Sequence, residues 1–188
     1  MLSNLLVYRF LISNAFGLAG AAALALGGYV LPIFANDASH ITYGIVALFL
    51  IGWFGVAKEI LVASGGLNEN KRSGGAQPAL TAQRDKDMAK VRWLSAVAGW
   101  LVGLGLVGTV VGFYIALGGV DQSNVGQASG AQSAVAALMA GMKTALSTTI
   151  LGAVLGMWHE LNVQLLHTAL AIYWSDRLAA ADGFGERP

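Results

Sequence analysis

The sequence predicts an all-α integral membrane protein with four transmembrane helices and both termini in the cytoplasm. Three observations lead to this prediction. Of the 188 residues, 56% are hydrophobic and only 11% are charged, whereas about a quarter of a soluble domain is charged. Four apolar windows reach the roughly 20 residues that one membrane crossing requires. The basic residues are confined to particular connecting segments, as the positive-inside rule expects.

The four windows are taken in chain order. The first is longer than the apolar region of roughly 7 to 15 residues in a signal peptide, and no small-residue cleavage site follows it, so we expect it to be retained. There are no cysteines, which excludes a disulfide framework and a thiolate metal site. The predicted spans are Phe10–Leu31, Ile41–Ala63, Leu94–Leu117 and Thr144–Leu166.

The orientation follows from the basic residues. Arg9 precedes the first span, six Lys and Arg residues lie between the second and third spans, and Arg177 and Arg187 follow the fourth span. The loops 36–40 and 118–131 contain neither Lys nor Arg. Basic loops stay in the cytoplasm, which predicts an N-in, C-in arrangement.

Four regions follow from this pattern. Residues 1–63 are expected to form two peripheral spans, 64–92 a cytoplasmic linker and helix, 93–175 a two-span core, and 176–188 a cytoplasmic tail. Pro78 and the mixed charges after it predict a helix that runs directly into the third span. A solvated helix that sets the topology is favoured there over a docking surface.

Small residues recur at helical spacing in the last two spans. In lipid, where no hydrophobic force drives helices together, glycines four residues apart let two backbones approach and supply van der Waals contact. We therefore expect a helix-packing role for Gly99, Gly103, Gly105, Gly108, Gly112, Gly152 and Gly156.

Threonines accompany these glycines. Thr109 shares a helix face with Gly105 and Gly112, and Thr144 and Thr148 share one with Gly152, with Thr149 beside them. Hydroxyls on two facing helices can line a polar path. The alternative is that each threonine hydroxyl bonds back to a carbonyl of its own helix, as Ser and Thr do readily in spans.

The motif LGLVGTVVGF (104–113), a polar loop and then GMKTALSTTILG (141–152) together resemble the paired core motif of the MotA/TolQ/ExbB proton-channel family. The resemblance covers about 99–164, and two spans before the cytoplasmic region look more like the flagellar stator A subunit than the three-span TolQ and ExbB proteins. It implies a homopentamer around a dimer of a single-span B subunit of the MotB, TolR or ExbD type, whose membrane Asp carries the ion. By motif, Thr109 and Thr149 match the family threonines, while Thr144 stands where several transport members have Glu.

The residues independently indicate a missing partner. Between Leu94 and Trp158 the only formal charges are Asp121 and Lys143, and neither is a carboxylate at mid-depth. An ion relay needs a titratable group, so we expect another chain to supply the acid. A threonine hydroxyl can donate to that acid or offer oxygen to a cation. This assigns Thr109, Thr148 and Thr149 a ligand role on the ion pathway, with Thr144 beside them.

Four other polar residues have roles that the sequence leaves open. Lys143 either extends to the outer interface, which is favoured, or contacts a partner carboxylate. His159 and His167 make a weak metal signal without a third ligand, and interfacial residence is favoured over a proton exit. Glu160 has no assigned partner. Among the aromatic residues, Trp93, Trp174 and Tyr29 are predicted at the interface, and Trp53 and Trp100 in packing positions.

The resulting prediction is the A-type subunit of a proton- or sodium-driven motor or stator. It would catalyse no covalent reaction, need no cofactor beyond the transported ion, and bind no nucleic acid. The central loop is too short for the rotor-contacting domain of flagellar stators, which leaves an envelope process, gliding or defence as the load. Two alternatives are a structural membrane scaffold and a self-contained channel or transporter. Spans three and four lack the broken helix or internal acid expected of a transporter.

Overall fold

The computed structural model describes residues 2–35, 37–69, 77–119 and 128–185, and these ranges contain α-helices and no strand. Four of the helices are long and apolar enough to cross a membrane, with candidate spans Leu5–Leu26, Ile41–Gly65, Ala79–Gly118 and Gly130–Ala181. The predicted all-α, four-span membrane fold is therefore confirmed. The helices are α1 (Leu2–Leu26), α2 (Val30–Ala35), α3 (Ile41–Glu69), α4 (Gln77–Gly118) and α5 (Ala128–Gly185).

Helix α1 ends five residues before the predicted end of the first span, so that boundary was wrong. Gly28 adopts a left-handed backbone conformation with φ of 78°, which a glycine adopts without steric cost. The N–H of Gly28 donates to the carbonyl of Ala25 at 3.0 Å, and the N–H of Tyr29 donates to that of Leu24 at 3.0 Å. These two bonds form a Schellman cap that satisfies the last carbonyls of α1.

Helix α3 begins after a capped turn. Asp37 is buried, and its carboxylate accepts hydrogen bonds from the N–H of Ser39 at 3.0 Å and the N–H of Thr42 at 2.8 Å. A carboxylate in this position satisfies N–H groups that the first turn of a helix leaves unpaired. The start at Ile41 agrees with the predicted second span. The helix continues through Ser64 to Glu69, where a flexible stretch was expected.

Helices α4 and α5 are much longer than the spans that the hydropathy windows predict. Helix α4 has 42 residues and α5 has 58, or about 63 and 87 Å at 1.5 Å per residue. A hydrocarbon core of roughly 30 Å accounts for less than half of either helix. Pro78 is the second residue of α4, a position that tolerates proline, and the helix continues from there into the third span as predicted.

Two compact units make up the chain. The first unit comprises residues 1–18, 51–96 and 159–188. Its core joins side chains of α1, α3, α4 and α5: Leu6, Phe10, Val56, Ile60, Leu80, Val91, Leu94, Val163, Leu166, Leu170 and Trp174. Trp174 is only 3% exposed within this core, so it packs against other helices, and its position at the membrane interface remains a prediction.

The second unit comprises residues 19–50 and 97–158. Its buried apolar residues include Ile45 and Phe49 of α3, Leu101 and Ala116 of α4, and Ala145 of α5. Trp100 is 45% exposed, and the packing position predicted for it remains a prediction. This unit contains both halves of the glycine and threonine motif.

Candidate functional site

The second unit holds α4 and α5 in backbone contact along a seam of glycines. A β-carbon at Gly105 would lie 3.0 Å from the carbonyl oxygen of Thr148, and one at Gly112 would lie 2.7 Å from the backbone nitrogen of Ala145. On the facing helix, a β-carbon at Gly152 would lie 2.6 Å from the carbonyl oxygen of Leu101. The neighbours are backbone atoms, so a β-carbon at Gly112 or Gly152 would push the two helices apart, and one at Gly105 would make a contact tighter than usual.

Other predicted packing glycines divide into two groups. A β-carbon at Gly108 would lie 2.5 Å from that of Thr148, and one at Gly156 would lie 3.2 Å from the carbonyl oxygen of Ala98. Gly99 and Gly103 differ, since no atom of the described residues outside their own stretch of helix backbone lies within 4 Å of where their β-carbons would be. Contacts within a single chain therefore do not require glycine at these two positions, and their packing role remains a prediction.

The hydroxyls of Thr109 and Thr149 hydrogen-bond to each other across this seam. The same two hydroxyl oxygens lie 3.2 and 3.3 Å from the carbonyl oxygen of Gly105, and that of Thr149 lies 3.0 Å from the carbonyl oxygen of Ala145. Four oxygen atoms from two helices therefore form one cluster. Both threonines are half-buried, so the cluster lies at the edge of the helix pair.

Thr144 and Thr148 occupy a different environment. Both are at most 1% exposed. The Thr148 hydroxyl donates to the carbonyls of its own helix, at 3.1 Å to Thr144 and 3.0 Å to Ala145. Back-bonding to the same helix therefore occurs at Thr148 and also at Thr109 and Thr149, whose hydroxyls lie 3.2 and 3.0 Å from carbonyls four residues earlier. Thr109 and Thr149 differ from Thr148 because their hydroxyls also meet across the two helices.

The cluster can bind a polar species in two ways. Each hydroxyl has one proton and two lone pairs: one proton of the pair serves the bond between Thr109 and Thr149 and the other serves a backbone carbonyl. The pair can therefore donate to a carboxylate by exchanging one of these bonds, or offer oxygen to a hard cation. No group of three or more His, Cys, Asp or Glu residues suited to a metal ion occurs in the described part of the chain. Lys143 is exposed, and Asp121 lies outside the described residues.

A buried polar network in the first unit was not anticipated from the sequence. The side-chain amide nitrogen of Asn14 donates to the side-chain oxygen of Asn162 at 2.8 Å, and the indole N–H of Trp53 donates to the side-chain oxygen of Asn14 at 2.6 Å. Asn14 and Asn162 are at most 4% exposed. This network links α1, α3 and α5.

The histidines and Glu160 have distinct environments. His159 is fully buried between helices, and its position at the membrane interface remains a prediction. Its Nε2 lies 2.9 Å from the carbonyl oxygen of Leu94 and must carry the proton, because a carbonyl only accepts. Glu160 accepts a hydrogen bond from the Ser95 hydroxyl at 3.0 Å, and His167 is exposed.

A cavity of about 400 Å³ lies in the first unit between α3, α4 and α5. Its charged lining is internally compensated, because Lys90 lies 3.3 Å from Glu59 and 3.8 Å from Asp87. Arg177 lies over the rings of Tyr173 and Trp174. The lining therefore combines two carboxylates with two basic groups, and its formal charges sum to zero.

Comparison with known proteins gives one match. The family model described as the MotA/TolQ/ExbB proton channel family matches residues 61–170, which include α4 and most of α5. No significant match was found among curated proteins or among solved structures. The matched region contains the whole seam and the threonine cluster.

Proposed function

Because the chain belongs to the MotA/TolQ/ExbB proton channel family, we propose that it is the pore-forming A subunit of a proton- or sodium-driven membrane motor. Five copies would surround a dimer of a single-span B subunit that carries a membrane Asp. Ion flow through this complex, in a bacterial inner membrane, would be converted into mechanical work on a separate load. The chain itself would perform no covalent chemistry.

The hydroxyl pair of Thr109 and Thr149 is the observation that carries the proposal. The pair lies at the half-buried edge of two apolar helices, where a polar cluster has no packing advantage over aliphatic side chains. The glycine seam brings the two helices close enough for the hydroxyls to meet. A site that receives a polar group from outside the chain accounts for both features.

The charge distribution supports a carboxylate as that group. From Leu94 to Trp158 the chain has no acidic residue except Asp121, which falls in the predicted outer loop. A threonine hydroxyl does not titrate near neutral pH, so the pair serves as donor or ligand and the carboxylate of the B subunit carries the proton. Sodium is compatible with the same oxygens, because hard cations prefer oxygen ligands.

The test is partner-dependent ion flux in reconstituted complexes. The double variant Thr109→Val, Thr149→Val keeps the shape of both side chains and removes both hydroxyls. Flux should fall at least tenfold, since each lost hydrogen bond to a charged group contributes about 1.5 to 3 kcal/mol. The matched control is Thr109→Ser, Thr149→Ser, which keeps both hydroxyls and should retain most of the flux.

The scaffold alternative gives a different result. If the hydroxyls serve only as hydrogen-bond donors to carbonyls of their own helices, the double valine variant and the double serine variant should give equal ion flux in complexes of equal abundance. Full flux in the valine double would therefore exclude the proposed pathway. Replacing sodium with potassium at constant pH, and then varying pH at constant sodium, identifies the transported ion.

A further inference from the structure

An open groove of about 420 Å³ lies between α1 and α5 in the first unit. One wall consists of Arg9, Ile12 and Ser13 of α1. The facing wall belongs to the segment of α5 from Leu161 to Thr168. The groove shares no residue with the hydroxyl cluster. Its capacity to bind a ligand does not depend on the proposed motor function.

Polarity changes along the groove. In the N-in, C-in orientation expected from the basic residues, helix α1 enters the membrane from its N-terminal end and α5 leaves it toward its C-terminal end. Arg9 and Thr168 are then at the cytoplasmic mouth, while Ile12 and Leu161 lie deeper toward the hydrocarbon. Ile12 and Leu161 are 56% and 57% exposed, so the deeper part of the groove presents apolar surface outward.

The groove has one uncompensated charge. Arg9 forms no ion pair with another described residue. The acidic residue nearest in sequence to the α5 wall, Glu160, accepts hydrogen bonds from Ser95 at 3.0 Å and from Gln164 at 3.4 Å. The exposed guanidinium of Arg9 is thus free to bind an anion.

Two hydroxyls add donors beside this charge. Ser13 and Thr168 line the groove, and neither forms a hydrogen bond with another described residue. A guanidinium with neighbouring hydroxyls suits a phosphodiester, since arginine presents paired N–H donors to phosphate oxygens. The exposed apolar side chains of Ile12 and Leu161 suit an acyl chain.

We propose that this groove binds an anionic phospholipid of the cytoplasmic leaflet, with the phosphate at Arg9 and an acyl chain along Ile12 and Leu161. Charge complementarity and the ordering of polar and apolar groups along the groove select this occupant. Basic sites between transmembrane helices on the cytoplasmic side recognise anionic headgroups by the same physics.

Native mass spectrometry of the detergent-solubilised complex tests the assignment. The protein is titrated separately with phosphatidylglycerol, phosphatidylcholine and inorganic phosphate. We expect phosphatidylglycerol to bind more tightly than phosphatidylcholine, and inorganic phosphate not to displace it. The variant Arg9→Gln should reduce phosphatidylglycerol affinity roughly fivefold, the effect of one basic residue near an anionic lipid.

Two further variants make the result decisive. Arg92→Gln removes another exposed arginine of the first unit, outside the groove, and should leave phosphatidylglycerol binding unchanged. Thr168→Val removes one hydroxyl at the mouth and should weaken binding about two- to fivefold, which keeps the assignment testable if Arg9→Gln does not insert. Equal losses in Arg9→Gln and Arg92→Gln, equal affinity for the two lipids, or displacement by inorganic phosphate would each overturn it.

Discussion

Thr109 of α4 and Thr149 of α5 share a hydrogen bond between their hydroxyls, although 40 positions separate them in the chain. The glycines beside them remove the side chains that would otherwise hold the two helices apart. The carbonyls of Gly105 and Ala145 complete a cluster of four oxygens. Helix packing and the polar site are thus consequences of the same short motif.

Substitution of neighbouring threonines should separate pathway from packing. Thr149→Val removes a hydroxyl of the half-buried cluster and should reduce partner-dependent ion flux. Thr148→Val removes a hydroxyl that serves only carbonyls of its own helix in this structure, and flux should stay within about twofold of wild type. Flux measured in vesicles with equal complex content checks this. A larger loss in Thr148→Val than in Thr149→Val would reverse the assignment of the two positions.

Gly112→Ala should destabilise the seam. The new β-carbon would lie 2.7 Å from the backbone nitrogen of Ala145 and 2.7 Å from the carbonyl oxygen of Gly141. Both neighbours are backbone atoms, so the helices must separate, at a cost of about 1 to 3 kcal/mol. Gly44→Ala is the matched control, because no atom of the described residues outside its own stretch of helix backbone lies within 4 Å of its β-carbon position. Thermal unfolding in detergent should show a lower midpoint for Gly112→Ala alone.

Asn14→Ala should weaken the attachment of α1. The substitution leaves the indole N–H of Trp53 and the side-chain oxygen of Asn162 without the partners that they have here. Loss of partners at buried polar groups costs roughly 1 to 3 kcal/mol each. Thermal unfolding measures the loss, and Ser175→Ala, an exposed hydroxyl bonded to its own helix, is the control. Equal midpoints for the two variants would show that the network does not stabilise α1.

Acidification should weaken the start of α3 through Asp37. Burial acts to raise the pKa of Asp37, but hydrogen bonds from Ser39 and Thr42 outweigh it, so the pKa lies below its ordinary value. The ordinary value of about 4 applies to the unfolded chain. The stabilisation is therefore complete above about pH 4 and is lost as pH falls through the folded-state pKa. Unfolding midpoints from pH 6 to 3 should fall less steeply in Asp37→Asn; parallel curves would contradict this.

Local patterns predicted most of the fold. Four apolar windows and the segregation of basic residues were sufficient to predict a four-span membrane fold, because the thickness of the bilayer sets the length of a span. The end of α1 was misplaced although Gly27 and Gly28 are visible in the sequence, since an apolar window does not register a cap. The lengths of α4 and α5 were underestimated because helix continues beyond the apolar stretch that hydropathy detects.

Contacts between residues far apart in the chain could not be predicted from local sequence patterns. Asn14 and Asn162 are 148 positions apart, and nothing local indicates that one amide satisfies the other. Trp174 and His159 were predicted at the interface by residue type, and nothing local indicated that neighbouring helices bury both. The threonine pairing differs, because two motifs at helical spacing on adjacent spans indicated facing hydroxyls before the contact was observed.

The mass of the intact complex, extracted from its native membrane and measured without dissociation, tests the central claim most directly. The account predicts five copies of this 188-residue chain together with two copies of a single-span protein that has an Asp in its membrane helix. A stable monomer, or an assembly of this chain alone that conducts ions without a second protein, would contradict it.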